Sequence, residues 1–373
     1  MKKIVLFLIY LGIIQATFTF GQMIVEKEKL LQTILDKTVD DKKVFGTSFA
    51  IKKDTFVWNG ASGNLLIDQP YFIASTTKLF TTAIILKLRA ESKLSLEDKI
   101  SKYIDKSILL GLHTYKGKSY SEELTIKHLL SHTSGLPDYF QGKGSNGKSL
   151  ENDLTEGKDQ CWTFEQAIER TKKMTPLFEP GKKGKANYSD ANFQLLGKII
   201  ENITQKTYSE NCNQIIIQPI GMLKTYLYQD STDKTPKILF YEKNELNIPK
   251  AMTSFGADGG IVSTSTDMLL FVEAFFTGKL FPLEYIDELQ EFNKIFFPIK
   301  SGIGIHLFKL PWIFNPIGAL PYFIGHSGLS GALAYYAPNE NIFVVGTVNQ
   351  VAHPDISFKT MIKLTQLLMK KKK

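Results

Sequence analysis

The sequence predicts an α+β protein in which an antiparallel sheet is flanked by the terminal helices and carries an inserted, mostly helical subdomain. Three observations predict it: strand-like runs lie near both ends of the chain, the middle is rich in short helices and loops, and an amphipathic helix closes the chain. We therefore expect a sheet built from about residues 22–75 and 295–373, with the helical subdomain at about 76–294. An active site is expected at the seam between the two parts, where ligand pockets are common.

The first third of the chain predicts a helix, a hairpin and a second helix. Residues 24–39 carry apolar positions at helical spacing. Two strand-like runs, 44–51 and 55–61, are separated by the polar turn 52–54, which is typical of a hairpin. An apolar stretch at 71–74 leads into a strongly helical pattern that continues through Leu88.

The rest of the chain alternates loops and helices before it becomes β-like. The polar, glycine-containing segment 141–158 predicts an exposed loop. Elsewhere the patterns predict helices at 192–203 and 265–276, strands at 303–308, 322–324, 332–336 and 342–347, and a closing helix at 356–369.

Composition narrows the functional classes. The 373 residues carry a net charge of +8 and are 43% hydrophobic, which excludes collagen-like, disordered and polytopic membrane proteins. Arginine occurs only at Arg89 and Arg170, and the lysines are scattered among acidic residues. Because nucleic-acid readers favour arginine in basic stripes, we expect no nucleic-acid partner.

Residues 1–21 predict an export signal. Lys2 and Lys3 precede the apolar run 4–14, and the small residues Thr19 and Gly21 suit a cut before Gln22. The mature protein, residues 22–373, is then periplasmic or secreted, or membrane-anchored if the signal is not cleaved. Export permits a disulfide between Cys161 and Cys212 without requiring one.

The segment Ser75-Thr76-Thr77-Lys78 is the sharpest chemical feature. Residues three apart on a helix share one face, so Lys78 can lie beside the Ser75 hydroxyl. Serine needs a base to become a nucleophile, and a desolvated lysine can serve as that base. A helix N-terminus also offers backbone N–H groups that stabilise a developing oxyanion.

Motifs from about residue 72 to residue 348 resemble those of the active-site serine hydrolases of the class C β-lactamase and D-alanyl-D-alanine carboxypeptidase (penicillin-binding-protein-like) type. Ser75-Thr76-Thr77-Lys78 is similar to that family's first motif, and Tyr188-Ser189-Asp190 to its second, Tyr-x-Asn. The stretch 128–137, with the sequence HLLSHTSGLP, and the segments 178–181 and 219–222 are also typical of it. The resemblance implies a β-lactamase/DD-peptidase-like fold.

The resemblance implies that Tyr188 relays a proton between the serine and the leaving group. A lysine ammonium beside a phenol favours phenolate, so we expect the pKa of Tyr188 to be lowered. Asp190 departs from the family's Asn, because an ionised carboxylate only accepts hydrogen bonds and favours the charged form of Lys78. A substrate amide contact made by Asn in β-lactamases is then in doubt.

The family's third motif, Lys-Thr-Gly in β-lactamases, is represented here by His326-Ser327-Gly328. Histidine is mostly neutral near pH 7, whereas lysine offers a fixed charge to a substrate carboxylate. This difference weakens the case for a dedicated β-lactamase. By resemblance, backbone N–H groups of Ser75 and Leu329 form the oxyanion hole, and His326 and Asp190 orient the substrate.

Three functions remain open on the sequence. The first is a hydrolase that forms an acyl-enzyme on Ser75 and acts on peptides ending in D-amino acids or on small esters or amides. The second is a true β-lactamase, and the third is a penicillin or cell-wall-fragment sensor that acylates without turnover. We expect a monomer that needs no metal or organic cofactor; His128 and His132, four residues apart, lack a third zinc ligand.

Overall fold

The computed structural model describes residues 24–144, 147–315, 318 and 320–370. The predicted export signal, residues 1–21, lies outside the described residues. No helix in the described part of the chain is long and apolar enough to cross a membrane.

The strands of the described residues are β1 (Gly46–Lys53), β2 (Phe56–Gly63), β3 (Tyr71–Phe72), β4 (Thr114–Tyr115), β5 (Lys118–Ser119), β6 (Tyr226–Leu227), β7 (Leu239–Tyr241), β8 (Asn244–Leu246), β9 (Ile261–Ser263), β10 (Asn293–Phe296), β11 (Ile299–Ser301), β12 (His306–Phe308), β13 (Phe323–Ser327), β14 (Ala332–Ala337) and β15 (Ile342–Thr347).

The helices of the same residues are α1 (24–36), α2 (Thr77–Ala90), α3 (Lys106–Leu109), α4 (Ile126–Leu130), α5 (Leu150–Thr155), α6 (Phe164–Lys172), α7 (Asp190–Thr204), α8 (Tyr208–Cys212), α9 (Gln218–Ile220), α10 (Pro249–Met252), α11 (Ser265–Phe276), α12 (Tyr285–Glu288) and α13 (Asp355–Met369).

The main sheet confirms the predicted α+β class. Its strand order within the described residues is β10-β11-β12-β13-β14-β15-β1-β2, and every neighbouring pair is antiparallel. The early hairpin β1–β2 joins the late strands through β1 and β15, where Ser48 lies opposite Thr347. Strands from both ends of the sequence therefore form one sheet.

Helices cover both faces of this sheet. On one face, α1 and α13 pack together through a cluster that includes Leu31, Leu35 and Leu364. On the other face α11 contacts β1, β14 and β15, and the largest core cluster joins α2, α7 and α11. Because α2 lies inside this layer, nearly all its residues from Thr77 to Leu88 are buried, as its continuous apolar pattern predicts.

The predicted loop at 141–158 is partly wrong, because it contains the short helix α5. Ser149 caps this helix by accepting a hydrogen bond from the backbone of Asn152, whose side chain in turn accepts from the Ser149 backbone. Leu154 is buried on the inward side of α5. The segment is mostly polar, so its composition predicted a loop. It nevertheless contains a capping box, Ser149 with Asn152, and one apolar residue, Leu154, that packs inward.

Strands β10 and β11 also went unpredicted. They are short, and β10 forms the edge of the sheet with alternating half-buried and exposed residues. Edge strands bury little, so their sequence carries a weak signal.

Candidate active site

Ser75 lies in a single 3-10 turn, Ala74–Thr76, that runs directly into α2. The preceding residue, Ala74, has a φ of 46°, which side-chain-bearing residues rarely adopt. Backbone N–H of Ile73 donates to the carbonyl of Ile261, and that of Ile261 donates to the Thr77 hydroxyl. Strand β9 thus holds the turn from both sides and fixes the direction of the Ser75 side chain.

The structure brings Ser75, Lys78 and Tyr188 together. Lys78 Nζ lies 3.1 Å from Ser75 Oγ, and the Tyr188 hydroxyl donates to the same oxygen at 2.7 Å. Tyr188 comes just before α7, whereas Ser75 and Lys78 lie at the start of α2 and one turn further on. The predicted nucleophile and its two predicted acid/base partners therefore share one set of hydrogen bonds.

Lys78 is fully buried, and each of its three N–H bonds has an acceptor. Besides Ser75 Oγ, these are Asp190 Oδ1 at 2.6 Å and the carbonyl oxygen of Asp258 at 2.6 Å. Three acceptors, one of them a carboxylate, suit an ammonium group. Asp190 therefore forms a buried ion pair with Lys78, as expected for a carboxylate in place of the family's Asn.

The expected lowering of the pKa of Tyr188 is wrong. Burial raises the pKa of Tyr188 well above 10, and the negative charge of Asp190 acts in the same direction. The Lys78 ammonium does lie over the Tyr188 ring, 5.1 Å from its centre, but Asp190 neutralises that charge. Tyr188 is therefore a neutral phenol that donates its proton towards Ser75.

The end of β13 packs against the other side of the Ser75 turn. A Cβ atom on Gly328 would lie 2.5 Å from the Ile73 carbonyl oxygen and 3.0 Å from the Ser75 nitrogen, so only glycine fits. Ser330 Oγ donates to the Phe72 carbonyl at 2.8 Å and ties the loop after β13 to the same turn. This contact brings the segment that contains Leu329 beside the Ser75 amide, where the sequence places the oxyanion hole.

His326 lies on β13 within a group of three buried histidines. Its Nδ1 donates to the Ser327 carbonyl at 2.8 Å, and its ring stacks on His306 with centres 3.8 Å apart. His132 Nδ1 accepts from the Ser189 backbone, and its ring stacks on Tyr188. Within the described residues, His132 Nε2, His326 Nε2 and both ring nitrogens of His306 have no hydrogen-bond partner.

Burial favours the neutral form of all three imidazoles. Burial lowers the pKa of His306 to about 3 and those of His132 and His326 well below 6.5, and the Lys78 charge lowers them further. The expectation that His326 offers no fixed charge is confirmed. Among the described residues, no group of His, Cys, Asp or Glu is arranged to hold a metal ion.

Ser75 lines a cavity of about 420 Å³. Its wall is mostly apolar and includes Phe140, Leu154, Leu239, Ile248, Met252, Phe255, Leu329 and Val351. The ionisable side chains among its described lining residues are three carboxyl groups, one imidazole and one phenol: Glu151, Asp190, Asp258, His306 and Tyr188. No lysine or arginine lines it within that part of the chain.

Sequence reasoning missed several residues of this site. Asp258 Oδ2 accepts from the Tyr139 hydroxyl at 2.8 Å, and burial together with Asp190 raises the pKa of the Asp258 carboxyl well above its usual range. Asp138, also buried, has its pKa raised for the same reasons. Asp258 directly precedes Gly259-Gly260, and His306 comes two residues after Gly304, but these local patterns carry no chemistry by themselves.

Two other sequence features are structural. His128 caps α4 together with Thr125 and does not contact the site. Cys161 is exposed, Cys212 is buried, and both are free thiols, so the pair forms no disulfide.

Comparisons with known proteins agree with this geometry. A family model described as β-lactamase matches residues 31–361. Protein flp of Staphylococcus aureus (strain MRSA252) is 29% identical over 228 residues, which are 58% of this chain and 42% of that protein. The chain thus spans less than half the length of that curated relative.

Two solved structures have similar folds. A D-stereospecific amidohydrolase from Streptomyces sp. aligns with a TM-score of 0.72 and 23% identity, covering 89% of this chain and 97% of that one. An octameric penicillin-binding protein homologue from Pyrococcus abyssi aligns with a TM-score of 0.68 and 26% identity, covering 95% and 78%. The expected monomeric state stays a prediction.

Proposed function

The chain belongs to the β-lactamase family of serine hydrolases, and from this membership we propose that it transfers acyl groups to Ser75 and releases them to water. The observation that supports the proposal most strongly is the double hydrogen bond on Ser75 Oγ, from Lys78 Nζ at 3.1 Å and from the Tyr188 hydroxyl at 2.7 Å. A hydroxyl held between two proton carriers is the arrangement that nucleophilic catalysis by serine requires.

The two proton carriers have different roles in this proposal. Lys78 becomes the base after it passes one proton to Asp190, which lies 2.6 Å away and is the nearest carboxylate. The amine then accepts the Ser75 proton as Oγ bonds to the substrate carbonyl carbon. Tyr188, whose pKa is raised, gives its proton to the leaving group and recovers one from Lys78.

Deacylation reverses these steps. Water adds to the acyl carbon and loses its proton to the same pair, and Ser75 Oγ leaves with a proton. The negative charge of each tetrahedral intermediate falls on an oxygen that faces the backbone N–H groups of Ser75 and Leu329. Two such donors stabilise the oxyanion because they are already oriented before the reaction.

We further propose that the substrates are small esters or amides, including D-amino-acid derivatives, whose scissile group carries no nearby carboxylate. The charge of Lys78 is balanced by Asp190, the imidazoles of His306 and His326 are neutral, and the described cavity lining holds no lysine or arginine. A substrate carboxylate would find no lysine or arginine among the described lining residues, whereas the carboxyl groups of Asp258 and Glu151, whose pKa values burial raises, suit a neutral hydrogen-bonding group. The D-stereospecific amidohydrolase from Streptomyces has a similar fold, which is consistent with this branch.

Intact mass and product release test the proposal together. The full chain and Ser75→Ala are incubated with an activated ester, a D-amino-acid amide, a D-Ala-D-Ala peptide and a penicillin. Ser75-dependent release from the ester and the amide supports the proposal. A stable adduct on Ser75 without release indicates a sensor, and faster release from the penicillin indicates a β-lactamase. Equal activity in Ser75→Ala would exclude the mechanism.

A further inference from the structure

A second cavity, of about 700 Å³, lies at the edge of the main sheet outside the catalytic cavity. It is formed by the β10–β11 hairpin and by the segment 309–312 after β12. Large apolar side chains are exposed here: Phe296 at 48%, Phe297 at 74%, Trp312 at 77% and the adjacent Ile313 at 72%. We call these four residues the aromatic edge. An exposed apolar cluster of this size commonly marks an interaction surface.

The charged side chains among the described residues that line this cavity are all positive. Lys294, Lys300 and Lys309 line the same cavity and are exposed, and every other described lining residue is apolar. Lys294 lies directly opposite Lys300 across the β10–β11 pair, an arrangement of like charges that destabilises a hairpin. None of the three lysines forms an ion pair with another described residue.

We propose that the aromatic edge docks on a membrane surface that contains anionic lipid. Tryptophan and phenylalanine favour the boundary between headgroups and acyl chains, and lysines beside them are attracted to anionic headgroups. The unpaired lysine charges supply the complementarity that such a surface needs. A sugar polymer fits less well, because its hydroxyl groups need hydrogen-bond acceptors as well as donors, and the side chains of the described lining residues offer only the donors of three lysines and the Trp312 N–H.

Docking there brings the membrane to the catalytic cavity. Phe296 lines both cavities, and its ring lies 6.3 Å from the rings of Tyr188 and His306. The mouth of the active site then opens at the lipid–water boundary, where amphiphilic acyl donors concentrate. This consequence for substrates rests on the proposed function, whereas the docking itself does not.

Trp312 provides a direct optical test. The chain has three tryptophans, and Trp58 and Trp162 are buried, so a change of solvent around Trp312 changes the emission spectrum. The full chain is titrated with vesicles of phosphatidylglycerol and phosphatidylcholine, and separately with phosphatidylcholine alone. We expect a blue shift that is strong with the anionic vesicles and is lost in Trp312→Phe.

Sedimentation with the same vesicles measures affinity. The double variant Phe297→Ser/Trp312→Ser should bind at least tenfold more weakly. Lys300→Gln and Lys309→Gln should each weaken binding to anionic vesicles by about fivefold, the effect of one basic residue near such a surface. Leu223→Ser removes a 92% exposed apolar side chain elsewhere and should bind like the wild type. Thermal unfolding confirms that each variant is folded.

Four outcomes would overturn the proposal. They are no binding to either vesicle, binding without a shift of Trp312 emission, an equal loss of affinity in Leu223→Ser, and preferential binding of purified sacculi in place of vesicles. Hydrolysis of a soluble ester is measured in parallel and should be unchanged in the sedimentation variants. An inactive chain that still docks would leave the docking intact and refute only the proposed function.

Discussion

Two walls of the catalytic cavity differ in how their polar atoms are paired. On the helical wall, Lys78 has an acceptor for each N–H, and Ser75 Oγ has two donors. On the strand wall, His306 and His326 keep three ring nitrogens without a partner among the described residues, although both side chains are buried. Unpaired buried polar atoms are rare and need an explanation.

This difference in hydrogen-bond pairing indicates that the two walls have different roles. On the helical wall the hydrogen bonds of Ser75 and Lys78 are complete without substrate, so they hold the proposed nucleophile and its two proposed proton carriers in place. The strand wall has unused hydrogen-bonding capacity, which suits polar groups of a substrate or water that arrives with it.

The largest effect is expected from Lys78→Met, which removes the base but keeps the length of the side chain. We expect kcat/KM towards an activated ester to fall by about 10³-fold, the usual contribution of a general base. The matched control is Lys87→Met in the same helix, which removes only a half-exposed ion pair with Glu91. Activity above a tenth of wild type in Lys78→Met would assign the base to another residue.

The next effect is expected from Gly328→Ala. The added methyl group would meet the Ile73 carbonyl oxygen at 2.5 Å and Ala74 Cβ at 2.9 Å, so the loop must move away from Ser75. Loss of one oxyanion donor lowers kcat by about 10²- to 10³-fold. Pre-steady-state acylation of Ser75 measures the loss, with a thermal unfolding curve to check the fold. A variant that acylates at the wild-type rate would place the oxyanion hole elsewhere.

Asp190→Asn tests whether the helical wall depends on its negative charge. The variant keeps an oxygen acceptor for Lys78 but cannot take its proton. Because the proposed mechanism passes a Lys78 proton to Asp190, we expect kcat/KM towards an activated ester to fall by about 10²-fold, the lower end of the usual effect of a proton carrier. Wild-type kcat/KM in the variant would exclude Asp190 from the proton path.

The smallest effect concerns the strand wall and is measured on stability. Burial lowers the pKa of His306 from 6.5 to about 3, so between those values the unfolded chain binds a proton that the folded chain does not. The free energy of unfolding therefore falls as pH drops through this window, by about 2 kcal/mol at pH 5 for this group.

The substitution His306→Phe removes the titratable imidazole but keeps an aromatic ring stacked on His326. Urea unfolding at pH 7 and pH 5 should show a smaller acid loss in the variant than in the wild type. Asp138 and Asp258, whose pKa values are raised, have the opposite pH dependence but are present in both chains. Equal acid losses in the two chains would mean that His306 is protonated in the folded state.

Features that depend on neighbours in the sequence could be predicted. The spacing of Ser75 and Lys78, the helix α11 and the β1–β2 hairpin all follow from local periodicity, and the motif resemblance added Tyr188 and His326. The pKa of Tyr188 could not be predicted, because it depends on burial and on Asp190 across the fold. His306 was missed because a single histidine in a short strand has no local signature, and its role emerges only when β12 pairs with β13.

The pairing of β1 with β15 has a consequence for the order of folding. Ser48 and Thr347 are neighbours in the sheet although about three hundred residues separate them, and Gly328 completes the Ser75 turn across a similar gap. Contacts so distant in sequence close late, after local helices such as α2 and α11 have formed. During synthesis Ser75 therefore emerges early but meets Gly328 only when the last strands arrive, so the surroundings of Ser75 are complete only at the end of folding.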